Sequence, residues 1–127
     1  MSDPLHDPLR DALRLQLEAA ALGFDWRHLD ELWDKLAEET GELQEAARQG
    51  PERTQDELGD LLFMAVNLAR HLGVDASAAL AGANAKFARR FAHVCAALER
   101  LPPIGDPRRL EEMEARWQDA KRLEKDA

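Results

Sequence analysis

Residues 29–51 read LDELWDKLAEETGELQEAARQGP, and the spacing of their apolar side chains decides the fold class. Leu29, Leu32, Leu36, Leu43 and Ala46 recur at intervals of three and four, with Glu39 standing in the one slot the seam leaves open. That period puts them on one face of an α-helix. It predicts a helix from about Leu29 to Gln49. Gly50-Pro51 ends it, because glycine accepts the backbone of a helix stop and proline cannot continue the ladder.

The same reading extends in both directions. A first helix is expected from Pro4 or Pro8 to Leu22, with Leu9, Leu13 and Leu17 spaced at four and Gly23 as its stop. A third is expected to open near Thr54, where Thr54-x-x-Glu57 has the form of a capping box, and to run to His71 or Leu72. Its middle, Leu58 to Val66, is apolar nearly all round, so a partner subunit is expected to help cover it. A fourth is expected from the N-cap Asp75 to about Arg100, with Leu80, Ala83, Phe87, Phe91, Val94 and Leu98 as its stripe. Pro102-Pro103-Ile104-Gly105 is a break, and a fifth helix opens at Pro107 with Leu110, Met113 and Trp117 on one side. Strand signals are missing. The expectation is an all-α protein of about five helices, one domain over residues 1–127.

Composition agrees and narrows function. Of 127 residues, 45% are hydrophobic and 33% charged, a globular balance, and with no Tyr and only four Phe it favours helix over sheet. The net charge of −8 excludes a binder of nucleic-acid backbone, which needs a basic surplus. An acidic chain can still take a polyphosphate if divalent metals bridge the two sets of negative charge. The single cysteine, Cys95, has no partner for a disulfide or a zinc knuckle and is expected to be a buried, inert thiol. No apolar run reaches the ~18 residues of a membrane span. Residues 1–8 carry two Asp and no apolar stretch, so no secretory signal is expected and a cytoplasmic location follows.

Position singles out certain carboxylates. Glu39 occupies a core slot of the second helix, and Glu42 lies three residues on. Glu57 and Asp60 sit three apart at the mouth of the apolar third helix, on a stripe continued by Met64, Asn67 and His71. A carboxylate pushed toward a core is costly unless a positive partner meets it. Two Glu from one helix and Glu plus Asp from the next could converge in an antiparallel hairpin. Four oxygen donors suit the hard ions Mg²⁺ or Mn²⁺ rather than zinc. The plainer alternatives are a solvated strip for Glu38, Glu39 and Glu42, and a cap for Glu57.

The words around these carboxylates carry a family resemblance. The stretch from Trp33 to Leu43 resembles the E-E-x-x-E box of the MazG family, and Glu57 to Phe63, continued by Val66 to Arg70, its E-x-x-D box. Asn84 to Phe91 is similar to its N-x-K-F-x-x-R-F segment. Gly23-Phe24-Asp25-Trp26 matches its helix-connecting phrase, and Leu110 to Met113 with Trp117-x-x-x-Lys121 resembles its last helix. The likeness spans about residues 15 to 123 and is nearest to the C-terminal copy of members that carry two such domains.

The resemblance implies a four-helix-bundle, homo-oligomeric (dimer or tetramer), Mg²⁺-dependent nucleoside triphosphate pyrophosphohydrolase, forming a monophosphate and pyrophosphate in nucleotide-pool house-cleaning. Carried over residue by residue, Glu39, Glu42, Glu57 and Asp60 would ligate metal. Lys86 and Arg90 would contact phosphates, the plainer alternative being a solvated basic edge of the fourth helix or an ion pair with neighbouring Glu residues, and Trp117 and Lys121 would close the substrate site. Glu38, beside the ligand pair, is the candidate general base or else a solvated neighbour, with Glu39 the other residue of the catalytic box. Asn67 either bonds a ligand carboxylate or the sugar, or makes an interhelical hydrogen bond. Trp117 either stacks on a base or packs in the core. The family often has a basic residue late in the first helix; Leu17 to Leu22 has none, so no phosphate contact is expected there. Gly41, between two ligands, costs about 1 kcal/mol of helix propensity and is read as room for a metal or a close neighbour.

Other classes fit less well. No Glu precedes a His by three, which sets aside a di-iron carboxylate centre. Related all-helical enzymes hydrolyse dUTP or phosphoribosyl-ATP, but the Lys86/Arg90 and Trp117 segments fit MazG better. A non-catalytic helical adaptor that oligomerises through the third helix is the alternative outside enzymes.

Overall fold

The computed structural model describes residues 6–125. Five α-helices follow in order, α1 (Pro8–Ala21), α2 (Leu29–Ala46), α3 (Pro51–His71), α4 (Ala76–Cys95) and α5 (Pro107–Lys125), with one 3-10 turn at Leu98–Arg100. There is no strand among the described residues. The chain divides into two compact units, one ending at Ala79 and the other beginning at Leu80. None of the helices is long and apolar enough to cross a membrane.

In the first unit α2 and α3 form a hairpin and α1 packs on α3. Asp7 caps α1 by accepting from Leu9 N–H at 3.0 Å, and the alternative start at Pro4 lies outside the described residues. Gly23 takes φ +92°, and Gly23 and Phe24 N–H reach back to Ala20 and Ala19 carbonyls, so the chain leaves α1 sharply and delivers Phe24 to Trp26 onto the flank of α3. Gly50, at φ +129°, performs the tighter reversal between α2 and α3. Leu32 is fully buried and, with Ala46, Met64 and Val66, forms the core of this unit. Burying a leucine contributes about 1.5–3 kcal/mol.

Three boundaries differ from the sequence reading. The second helix ends at Ala46, with turns at residues 47–49, and not at Gln49. The third helix opens at Pro51, not Thr54. Proline pre-sets the helical φ and gives up an N–H that has no partner in the first turn. Thr54 therefore sits inside the helix, where its hydroxyl donates to the Gly50 and Ala46 carbonyls at 2.8 and 3.2 Å. No capping box forms there, and Glu57 is free of that task. The fourth helix stops at Cys95, and a 3-10 turn follows instead of continuous helix to Arg100. Its N-terminus is as expected, with Asp75 accepting from Ser77 N–H at 3.1 Å. Cys95 is half-buried rather than buried.

In the second unit Val94, Ala97 and Ala120 are buried. An aromatic cluster joins α4 to α5, with Phe87 stacked on Phe91 at 5.5 Å and tilted against Trp117 at 5.3 Å. Helix α5 continues past Lys121 to Lys125.

Candidate metal and substrate site

The α2–α3 hairpin brings three of the four expected carboxylates together, and Asp60 joins only Glu57 of that set. Donor oxygens of Glu39, Glu42 and Glu57 lie within 4.8 Å of one another. A second group, Asp56, Glu57 and Asp60, meets the same limit, so Glu57 belongs to both. Asp60 thus gathers with Asp56, which the sequence reading did not single out. The signal was available, because positions 56 and 60 share one helical face with a four-residue step. Glu38 is exposed and stands outside both groups.

Each of the two less exposed carboxylates is half satisfied. Glu39 is 7% exposed. Its Oε1 lies 3.4 Å from Lys35 Nζ, one turn back, while its Oε2 is buried with no partner. Glu57 repeats the arrangement, with Oε1 at 3.7 Å from an Arg53 guanidinium nitrogen and Oε2 buried and unpartnered. A buried acceptor left unmet costs about 1–3 kcal/mol, and more when charged. The hydrogen bond to Glu39, with Glu38 beside it, holds the Lys35 ammonium above its ordinary pKa. Glu42 is pushed the other way for an acid, upward, by partial desolvation and then by the charges of Glu39, Glu57 and Glu38. Unpartnered anionic oxygens that repel one another call for a cation. An all-oxygen donor set fits a hard divalent ion. Gly41 has open space about it, with nothing within 4 Å of where a Cβ would stand.

Glu39 and Asp60 also border a cavity of about 610 Å³ between α1, α2, α3 and the connection after α1. That volume is in the range of small-molecule sites. Phe24, Trp26 and Phe63 supply apolar walls, and Asn67 and the Asp25–Arg70 pair a polar edge. Asn67 is buried, and its Oδ1 accepts from Arg70 Nη2 at 2.9 Å.

Asp25 was visible in the sequence only as part of a phrase. It receives two Arg70 hydrogen bonds, at 2.7 and 3.0 Å, and has His71 Nε2 at 3.0 Å. The Arg70 guanidinium first, then His71, hold its carboxyl far below the usual carboxylate range. This cluster fastens the connection after α1 to the C-terminal end of α3.

The expected phosphate and base contacts fall in the α4–α5 unit. Lys86 and Lys121 are exposed and make no ion pair among the described residues. Arg90 lies over the face of Trp117, 5.8 Å from the ring centroid, and pairs with Glu124 at 3.0 Å. Trp117 is partly buried between Phe87 and Arg90.

Helices throughout the described residues, and an acidic, oxygen-donor centre in the first unit, define the class. Residues 27–95 match the MazG nucleotide pyrophosphohydrolase domain, and the chain belongs to that family. It is 45% identical over 123 residues to the nucleoside triphosphate pyrophosphohydrolase of Escherichia coli (strain K12), covering 93% of this chain and 46% of that protein. It is 37% identical over 119 residues to the nucleoside triphosphate pyrophosphohydrolase/pyrophosphatase MazG of Thermotoga maritima, covering 94% and 46% respectively. The chain spans about half the length of these curated relatives.

Proposed function

We propose that this chain is a Mg²⁺-dependent nucleoside triphosphate pyrophosphohydrolase that releases a nucleoside monophosphate and pyrophosphate, with Mn²⁺ able to substitute. The observation that carries the reading is the pair of buried, unpartnered oxygens on Glu39 and Glu57, gathered with Glu42 in a MazG-family hairpin. Glu39, Glu42, Glu57 and Asp60 would hold the metal. When bound, a divalent ion offsets the charge of the triphosphate and makes a nearby water more acidic. Glu38 accepts the proton of the water that attacks the α-phosphorus. Lys86, Arg90 and Lys121 grip phosphate oxygens, Trp117 closes the substrate site, and Asn67 hydrogen-bonds the sugar.

The chain acts as a single domain, residues 1–127 with a core of about 15–123, in a cytoplasmic homo-oligomer engaged in nucleotide-pool house-cleaning. Leu58, Leu62 and Phe63 of α3 stay exposed in the single chain. An apolar face of that kind fits cover by a second copy.

The test is hydrolysis of each ribo- and deoxyribonucleoside triphosphate with Mg²⁺ or EDTA, beside Glu39→Gln and Asp60→Asn. Metal-dependent monophosphate plus pyrophosphate, lost in both variants, is the expected result. Diphosphate plus phosphate would refute attack at the α-phosphorus. No turnover, with no effect of Mg²⁺ on melting temperature, would favour a helical adaptor.

A further inference from the structure

Glu124 stands in the last turn of α5 and receives two arginines at once. Arg89 Nε donates to its Oε1 at 2.7 Å and Arg90 Nε to its Oε2 at 3.0 Å. Consecutive residues of a helix do not face one another, so Arg89 and Arg90 would ordinarily splay apart. The shared carboxylate draws them to one target. Each guanidinium contributes its Nε–H to that bridge, and its terminal nitrogens have no hydrogen-bond partner among the described residues.

Arg90 is held on a second side by the Trp117 ring, and its side chain is 18% exposed. A flexible arginine is thus ordered with its outer N–H edge unpaired among the described residues, the edge that grips phosphate oxygens in pairs. The position of Glu124 is itself informative. An acidic residue at a helix C-terminus opposes the macrodipole, so the site is unfavourable for Glu unless a nearby positive group offsets it.

We propose that Glu124 is a positioning residue that joins Arg89 to Arg90 as a paired fork for a polyphosphate anion, and that Arg89 is a phosphate contact alongside Arg90. This rests on the reading of Arg90 as a phosphate contact given above. The sign of the effect separates positioning from simple charge. By Coulomb's law alone, removing a negative charge near an anion site strengthens anion binding. Loss of a positioning residue weakens it.

The experiment titrates the intact protein with inorganic pyrophosphate in Mg²⁺ by calorimetry, and measures KM and kcat with nucleoside triphosphates, for wild type, Glu124→Gln and Arg89→Ala. Arg89 has a largely exposed side chain, 59%, so its alanine variant tests the bridge without depending on how α5 tolerates a change at 124. Expected is a rise of about tenfold in pyrophosphate Kd and in KM in both variants, with kcat held within about threefold, as for loss of uniform binding. Unchanged or tighter pyrophosphate binding in Glu124→Gln overturns the proposal, as does a loss confined to melting temperature with KM unmoved. A wild type that binds no pyrophosphate also overturns it. A wild type that binds pyrophosphate yet hydrolyses no triphosphate would sink the proposed reaction alone, and the titration would still decide the role of Glu124.

Discussion

Lys35 Nζ stands 3.4 Å from Glu39 Oε1, while the other oxygen of the same carboxylate is buried against nothing that can donate to it. The amine meets half of the charge and leaves half for an ion. Added Mg²⁺ should therefore raise the melting temperature of EDTA-treated protein. At a free-ion concentration of 100 Kd the linkage amounts to about 2.7 kcal/mol. Glu39→Gln and Glu57→Gln should melt alike with and without Mg²⁺ and lose at least about a hundredfold in turnover, the scale of a missing charge-stabilising group. A calorimetric scan of each protein in both buffers would expose a purely structural role, since the Mg²⁺ increment would then survive.

The Asp25–Arg70 pair ought to make stability depend on acid. The folded-state pKa of Asp25 lies below its unfolded value of about 3.9. Its contribution is therefore fully present above about pH 4 and is lost as pH falls toward the folded value. Asp25→Asn should melt about 3–6 °C below wild type at neutral pH, the scale of a charged hydrogen bond. The gap should narrow progressively as pH is taken below about 4. Paired thermal melts from pH 7 to 2.5 would show it, and a gap independent of pH would refute the assignment.

Thr54 ties the start of α3 to the end of α2 through its bonds to the Gly50 and Ala46 carbonyls. Thr54→Val should cost about 1 kcal/mol, or about 3–5 °C in melting temperature. Gly50→Ala meets no steric neighbour but must hold φ +129°, and strain alone should cost about 1–3 kcal/mol. Chemical denaturation of both variants measures this, and a Gly50→Ala as stable as wild type would mean that the reversal can be made another way.

Leu58 and Leu62 are one helical turn apart and both exposed in the single chain. If a second copy covers them, Leu62→Glu should shift the assembly toward monomer by light scattering. A monomeric wild type, or an oligomer indifferent to Leu62→Glu, would leave α3 without the cover proposed for it.

Helix existence was legible wherever apolar spacing and punctuation agreed, as in Leu29 to Ala46 followed by Gly50-Pro51. It was misread where two local signals competed. At the start of α3 the sequence offers a capping box at Thr54 and a proline at position 51, and the proline prevails because its φ needs no side-chain bond to hold it. Ala96 and Ala97 carry no breaker, so nothing local announced the end of α4 at Cys95. Among site residues, Glu39 was readable as a charge in an apolar slot. Asp25 and Glu124 were not, since each matters through arginines that only tertiary structure brings near. Asp56 was readable in principle, and was missed because it flanks the motif instead of belonging to it.

The hairpin that carries the carboxylates has a kinetic side. Glu39 and Glu57 are only 18 positions apart, and just residues 47–50 join their helices. Closing so short a loop takes on the order of 10–100 ns, so like charges meet as soon as α2 and α3 dock. If the hairpin is formed at the folding barrier, repulsion is felt there too. Ionic conditions should consequently act on the refolding arm of the chevron as well as on unfolding, with Mg²⁺ speeding folding in wild type and neutralised variants such as Glu39→Gln folding quickly without it.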